Sequence, residues 1–136
     1  MPVTLRVKTS SRTDMVDITS MVQKEVSNRD LKDGLCTVYV PHTTAGITIN
    51  EGGITINEGA DPAVCQDIMG KLNEMVPRDP GYRHMEGNSD SHIKASLMGS
   101  SVSLMVEKGR LVLGTWQKIY FCEFDGPRSR RVYVKV

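Results

Sequence analysis

The sequence predicts an α+β fold, a mostly antiparallel β-sandwich with about three helices, and three observations carry that expectation. Apolar and polar residues alternate at Val3, Leu5 and Val7, again at Val102, Leu104 and Val106, and again at Val132, Val134 and Val136, the period-two pattern of half-buried strands. Turn-forming residues punctuate these runs, at Glu107 to Gly109 and at Asp125-Gly126-Pro127. Between the strand-like segments, Val64, Ile68, Leu72 and Met75 recur at spacings of three and four, as one buried helical face requires. Strands and helices in this mixture form a layered α+β unit.

Taken in order, Val3 to Val7 predicts a first strand, and Val16 and Ile18 end a second short one. Thr19 or Ser20 is placed to cap a helix with Met21, Val22 and Val26 on one face, which stops before the polar loop from Asn28 to Gly34. Leu35 to Tyr39 reads as a strand running into Pro41, His42, Thr43 and Thr44, with Gly46 loosening the pattern. Asp61-Pro62 is a strong start for the Val64 to Met75 helix: the carboxylate accepts orphan amide hydrogens, and proline lacks the one it would leave unpaired. That helix ends at Pro77, and an irregular segment with Pro80, Gly81 and Gly87 follows. Ser89 or Asp90 then caps a short helix with Ile93 and Leu97 inward, His92 and Ser96 on another face, and Gly99 at its C-terminal end. Val102 to Leu113 is a hairpin, Ile119 to Phe124 one more strand, and Val132 to Val136 the last.

A chain of 136 residues and 15.1 kDa is read as one domain, residues 1–136, able to bury a core without disulfides or a structural metal. Seventeen Lys and Arg against sixteen Asp and Glu leave a net charge of +1, so no global field favours nucleic acid or an anionic membrane as partner. Apolar runs are only a few residues long, and no apolar stretch follows Arg6 and Lys8. The expectation is therefore no transmembrane helix, no signal peptide and a cytoplasmic location. Cys36, Cys65 and Cys122 are far apart and unpaired by motif, which suits buried apolar thiols in a reducing compartment.

Residues 46–52 read GITINEG and residues 53–59 repeat them identically. A seven-residue tandem copy at 46–59 is too short and too exact for a solenoid unit and is read as a local duplication. An odd insertion held in register would turn every later side chain of the strand to the opposite face. One copy must therefore leave the strand. The expectation is that the first copy continues the strand from His42 and the second is extruded ahead of the Asp61 helix.

The three histidines, His42, His84 and His92, all fall in or beside Gly-, Pro- and Asn-containing segments, with Glu86, Asn88 and Asp90 nearby. Imidazole and carboxylate suit zinc or a similar divalent ion, although this spacing alone is equally that of independent surface or core histidines. Trp116 stands beside Gln117 in Gly114-Thr115-Trp116-Gln117 and is either a core filler or a ligand platform. Arg128 and Arg130, two apart before the last strand, share a side and could clamp a phosphate; the alternative is a solvated face.

The segment from His42 through Thr43-Thr44-Ala45-Gly46-Ile47-Thr48-Ile49-Asn50 to Glu51, the Asp61-Pro62 pair, NSDSHIKASL from Asn88 to Leu97, and SVSLMVEKGRLVLGTWQKI from Ser101 to Ile119 together resemble the YjbQ, or UPF0047, family over nearly the whole chain. The resemblance implies a small α+β sandwich assembling as a homotrimer and, as described for several members, a secondary thiamine-phosphate synthase activity, in which a pyrimidine diphosphate and a thiazole phosphate join and release pyrophosphate. It departs at the duplication, since similar members carry a single T-I-N-E run. Residues and resemblance together point to a divalent metal, zinc or magnesium, held by His42, His84 and His92 with Asp90 as a further ligand. His42, His92 and Glu51 are then the expected catalytic residues. Thr44, Asn88, Ser96, Gln117, Arg128 and Arg130 are the expected contacts to a phosphorylated small-molecule substrate. Two rival functions are a non-catalytic trimer that binds a phosphometabolite and a metal-dependent hydrolase.

Overall fold

The computed structural model describes residues 2–52, 63–79 and 81–136. In chain order its elements are β1 (Val3–Lys8), β2 (Asp14–Asp17), α1 (Thr19–Asn28), β3 (Gly34–Tyr39), β4 (Ala45–Glu51), α2 (Ala63–Met75), α3 (Ser89–Met98), β5 (Ser101–Glu107), β6 (Arg110–Leu111), β7 (Gln117–Glu123) and β8 (Ser129–Lys135). The described strands pair antiparallel throughout, in a five-stranded sheet ordered β1-β8-β3-β5-β6 and a three-stranded sheet ordered β2-β7-β4.

β7 shows how the layers stack. Ile119 and Phe121 face the inter-sheet core with Ile47, Val38, Leu104, Val132 and Val134, closed at the side by Val22 and Val26 of α1. Their neighbours Tyr120, Cys122 and Phe124 point the other way, against Ala95 of α3 and Cys65, Met69 and Leu72 of α2. A strand covered on both faces loses its polar alternation, and β7 is almost wholly buried from Ile119 to Glu123. Burial raises the thiol of Cys36, and burial together with Cys65 pushes that of Cys122 up to about 12, so both behave as apolar side chains at neutral pH.

Three local expectations are corrected. Neither Thr19 nor Ser20 caps α1: Ile18 occupies the cap position, and the Asp17 carboxylate accepts the Thr19 amide at 2.9 Å. Asn88, not Ser89 or Asp90, stands at the N-cap of α3. The apolar pair on α3 faces outward, with Ile93 38% and Leu97 59% exposed, while Asp90, Ser91, Lys94 and Ala95 are buried. That face can be polar because each charge has a partner, as described below. α2 contacts the sheet through half-buried Cys65, Met69 and Leu72, and Met75 is exposed. The β5–β6 turn takes positive φ at Lys108 and Gly109, the geometry that matches strand twist in a two-residue hairpin.

The first GITINEG copy lies in β4, paired residue for residue with β7 from Ala45 opposite Glu123 to Glu51 opposite Gln117. The expected extrusion of the second copy and the Asp61-Pro62 helix start fall outside the described residues. No helix among the described residues is long and apolar enough to cross a membrane.

Candidate functional site

The cleft that gathers the predicted residues lies where the end of β3, the start of β4 and the C-terminal half of α3 meet. Backbone bonds join these segments: the Val40 amide donates to the Ser100 carbonyl at 2.8 Å and the Ile47 amide to the Gly99 carbonyl at 3.0 Å. The join needs Gly46, because a Cβ there would stand 2.7 Å from the Gly99 carbonyl oxygen. Held this way, α3 presents His92 and Ser96 across from His42 and Thr43, and the four side chains help line a cleft of about 340 Å³ closed by Ala45, Ala95, Gly99 and Ser100.

His42 sits where the β3–β8 ladder stops. The last pair is Tyr39 with Tyr133, and continuing that register brings Pro41 opposite Arg131. Beyond the ladder the Arg131 amide donates to Nε2 of His42 at 2.9 Å, so an imidazole stands where a strand carbonyl would accept. Burial holds the His42 pKa below its ordinary value, and the nearby Arg130 and Arg131 charges add to this. Arg131 lies over the Tyr133 ring at 6.0 Å and donates to its hydroxyl at 3.4 Å. Among the described residues it forms no ion pair, which leaves its charge beside His42 uncompensated.

His92 stands between two depressions. On one side it shares the cleft with His42; on the other its ring meets that of His84 edge to face, centroids 5.0 Å apart, in a second hollow lined by Tyr82, Arg83 and Ser89. The expected single pocket of three histidines is therefore not formed: His92 is shared, and His42 and His84 line different hollows. Ser96 donates its hydroxyl to the His92 carbonyl at 2.9 Å.

Asp90 does not offer a metal ligand. Both oxygens are taken up by the Arg12 guanidinium at 3.0 and 3.1 Å, and Oδ2 also accepts from Lys94 at 3.1 Å. Burial pushes this carboxyl up, yet the bonds from Arg12 and Lys94 outweigh it and keep it below the usual carboxylate range. Lys94 completes its shell on Asn73 at 2.7 Å. Among the described residues no three His, Cys, Asp or Glu side chains stand together in a way that could hold a metal ion. With Asp90 engaged and the His42 Nε2 lone pair occupied, the donor set does not fit the expected divalent ion.

The remaining predicted contacts scatter. Arg130 is buried and pairs with Glu123, its Nε donating to Oε1 at 2.8 Å and Nη2 to Oε2, while Nη2 also donates to the Thr44 hydroxyl at 2.8 Å. Glu123 also accepts from the Thr9 hydroxyl at 2.8 Å, and the Arg130, Asp125 and Thr9 bonds keep it below the usual range against the push of burial. Arg128 precedes β8, is mostly exposed and bonds Asp125, so the two arginines form no clamp. Asn88 donates to Asp125 at 2.9 Å, and its buried Oδ1 has no partner among the described residues. Gln117 accepts the Gly114 amide at 2.8 Å in the turn before β7, Trp116 is 54% exposed there, and Glu51 is exposed at the far end of β4. Thr44 and Arg130 bond each other, and of the predicted set only His42, His92 and Ser96 line the cleft itself. Arg131 belongs to the positive run with Arg128 and Arg130, but it is not among the contacts expected from sequence, and nothing local announces that its amide meets His42.

A family model described as UPF0047 protein YjbQ-like matches residues 3–136. A UPF0047 protein of Methanocaldococcus jannaschii is 48% identical over 131 residues, covering 96% of this chain and 90% of that one. The UPF0047 protein YugU of Bacillus subtilis is 48% identical over 134 residues, covering 98% and 96%. A crystal structure of a YjbQ/UPF0047 protein from Clostridium acetobutylicum superposes with a TM-score of 0.91 at 51% identity, covering 98% of each chain. With a sandwich of the same architecture and nearly full-length matches at such identity, the chain belongs to the YjbQ-like UPF0047 family.

Proposed function

We propose that the cleft between His42 and His92 binds a phosphorylated small molecule. The observation that carries this reading is Arg131, a cation with no ion pair among the described residues, whose charge lies near His42, one of two histidines that line the cleft. A guanidinium and imidazole donors suit phosphate oxygens, and among the described residues the cleft lining contains no carboxylate that would repel them. The finer form of the proposal is thiamine-phosphate formation. There the C–O bond to pyrophosphate breaks, the thiazole nitrogen forms the new C–N bond, and the protein supplies positioning and donors to the departing anion. The pyrophosphate end then lies toward Arg131 and His42, and His92 is the group placed to exchange a proton. Assembly as a homotrimer belongs to the same reading.

Titration of pyrophosphate into the wild type and into Arg131→Gln tests it. The expected result is saturable binding weakened about tenfold or more in the variant, as for loss of a charge-assisted hydrogen bond. Equal affinities, or no binding to the wild type, remove the reading. Incubation with the two thiamine precursors then separates catalysis, seen as thiamine phosphate and pyrophosphate in equal amounts, from binding without turnover.

A further inference from the structure

Nε2 of His42 accepts the Arg131 backbone amide hydrogen at 2.9 Å. An amide always donates, so Nε2 must keep a lone pair, and the single proton of the neutral ring resides on Nδ1. The bond continues the sheet edge: beyond the Tyr39–Tyr133 pair the Arg131 amide finds its acceptor on the imidazole. The same ring lines the cleft with Thr43, His92 and Ser96.

We propose that His42 acts in this cleft as a hydrogen-bond donor, presenting Nδ1–H to an acceptor oxygen of the bound ligand, and serves neither as a general base nor as a metal ligand. The ligand class follows. A group with a lone pair at that point, such as a phosphate, carboxylate or carbonyl oxygen, is accepted, whereas an ammonium group or a metal ion is excluded. This assignment also disfavours a metal on His42: to ligate through Nδ1, His42 would have to move its proton to Nε2, against the Arg131 N–H. Proton exchange with a substrate falls to His92, whose ring accepts no backbone amide among the described residues. The inference rests on the anion-site reading for the identity of its acceptor, but the position of the proton is independent of any ligand.

Two-bond proton–nitrogen correlation spectra of the ligand-free, nitrogen-15 histidine-labelled protein at pH 8 give the direct test, with His42 assigned by its loss in His42→Gln. The expected pattern is a protonated Nδ1 and an unprotonated Nε2. The reverse tautomer overturns the inference, as does a zinc titration that shifts the His42 nitrogens at one equivalent. The Nδ1–H form with no response of His42 or His92 to pyrophosphate supports the donor assignment and overturns the phosphate reading alone.

Two substitutions separate the ring's roles. Glutamine can place its carbonyl where Nε2 accepts but has nothing at Nδ1, whereas asparagine can place its amide donor near Nδ1 but cannot reach Arg131. His42→Gln should therefore keep the wild-type unfolding midpoint yet bind pyrophosphate about tenfold or more weakly. His42→Asn should melt earlier than His42→Gln but bind pyrophosphate more tightly than it does. The opposite order of affinities would overturn the assignment.

Discussion

Arg130 and Glu123 meet inside the molecule, where the five-stranded and three-stranded sheets face one another. Their side chains are 6% and 0% exposed, so removing one partner strands a buried charge. Arg130→Met is expected to cost about 3 to 5 kcal/mol, and Arg130→Met combined with Glu123→Met should regain a large part of that, because two apolar groups leave no orphaned charge. Urea denaturation at pH 7 measures both. The pH dependence has a definite sign: Glu123 and Asp90 titrate lower in the folded protein than in the unfolded chain, so the unfolded chain takes up protons first as the solution is acidified. Their contribution is complete above roughly pH 4, the ordinary carboxyl range, and is lost as pH falls through the folded values. Urea midpoints should therefore drop between pH 6 and pH 3. The inward course of Arg130 was legible in the sequence, since it shares the parity of Val132 and Val134. Pairing it with Arg128 by spacing alone overlooked that Arg128 lies before the strand begins, where alternation does not hold. The partner, Glu123, also lies on the core-facing parity of its strand, with Ile119 and Phe121, but nothing local announces that two such positions meet.

At the scale of elements, α3 is where the sequence misleads most. Its apolar residues, Ile93 and Leu97, suggest an inner face, but the helix buries Asp90 and Lys94, whose partners Arg12 and Asn73 come from 78 and 21 residues away. A helical pattern reports which side chains are apolar, and distant partners decide which are neutralised. The strands were more legible because alternation is enforced by each sheet separately: β1 and β5 lie where the sequence places them, and β8 begins three residues ahead of Val132. The docking of α3 on β4 yields a paired prediction. Gly46→Ala sets a methyl against the Gly99 carbonyl and should cost about 1 to 3 kcal/mol, as overpacking does, and should weaken pyrophosphate binding by moving His92 relative to His42. Gly70→Ala, in α2, has nothing within 4 Å of the added carbon and should stabilise by roughly 0.5 to 1 kcal/mol from helix propensity. Thermal denaturation of both variants beside the wild type checks the contrast.

For the whole molecule, the outer face of the five-stranded sheet is the feature to explain. Leu35 and Met105 sit opposite each other in register, each 63% exposed, and Tyr39, 46% exposed, stacks with Tyr133 at 6.3 Å on the same face. Contiguous exposed apolar residues mark contact surfaces, and the proposed homotrimer would cover them. Static light scattering should return three times the 15.1 kDa chain mass, and a Leu35→Lys, Met105→Lys double variant should shift the mass toward that of a single chain. A wild-type mass equal to one chain at every concentration would rule the trimer out.

The duplicated heptad in β4 has a further consequence for anyone altering this protein. The two copies are the same polymer, so deleting either leaves one identical shorter chain, and a peptide map or an antibody raised to GITINEG meets two indistinguishable targets. Glu51 and Glu58 are chemical twins with different addresses. A substitution made in one copy leaves an intact duplicate seven residues away, and a scan of Asn50 or Glu51 reports the loss of that residue type only when Asn57 or Glu58 is changed with it.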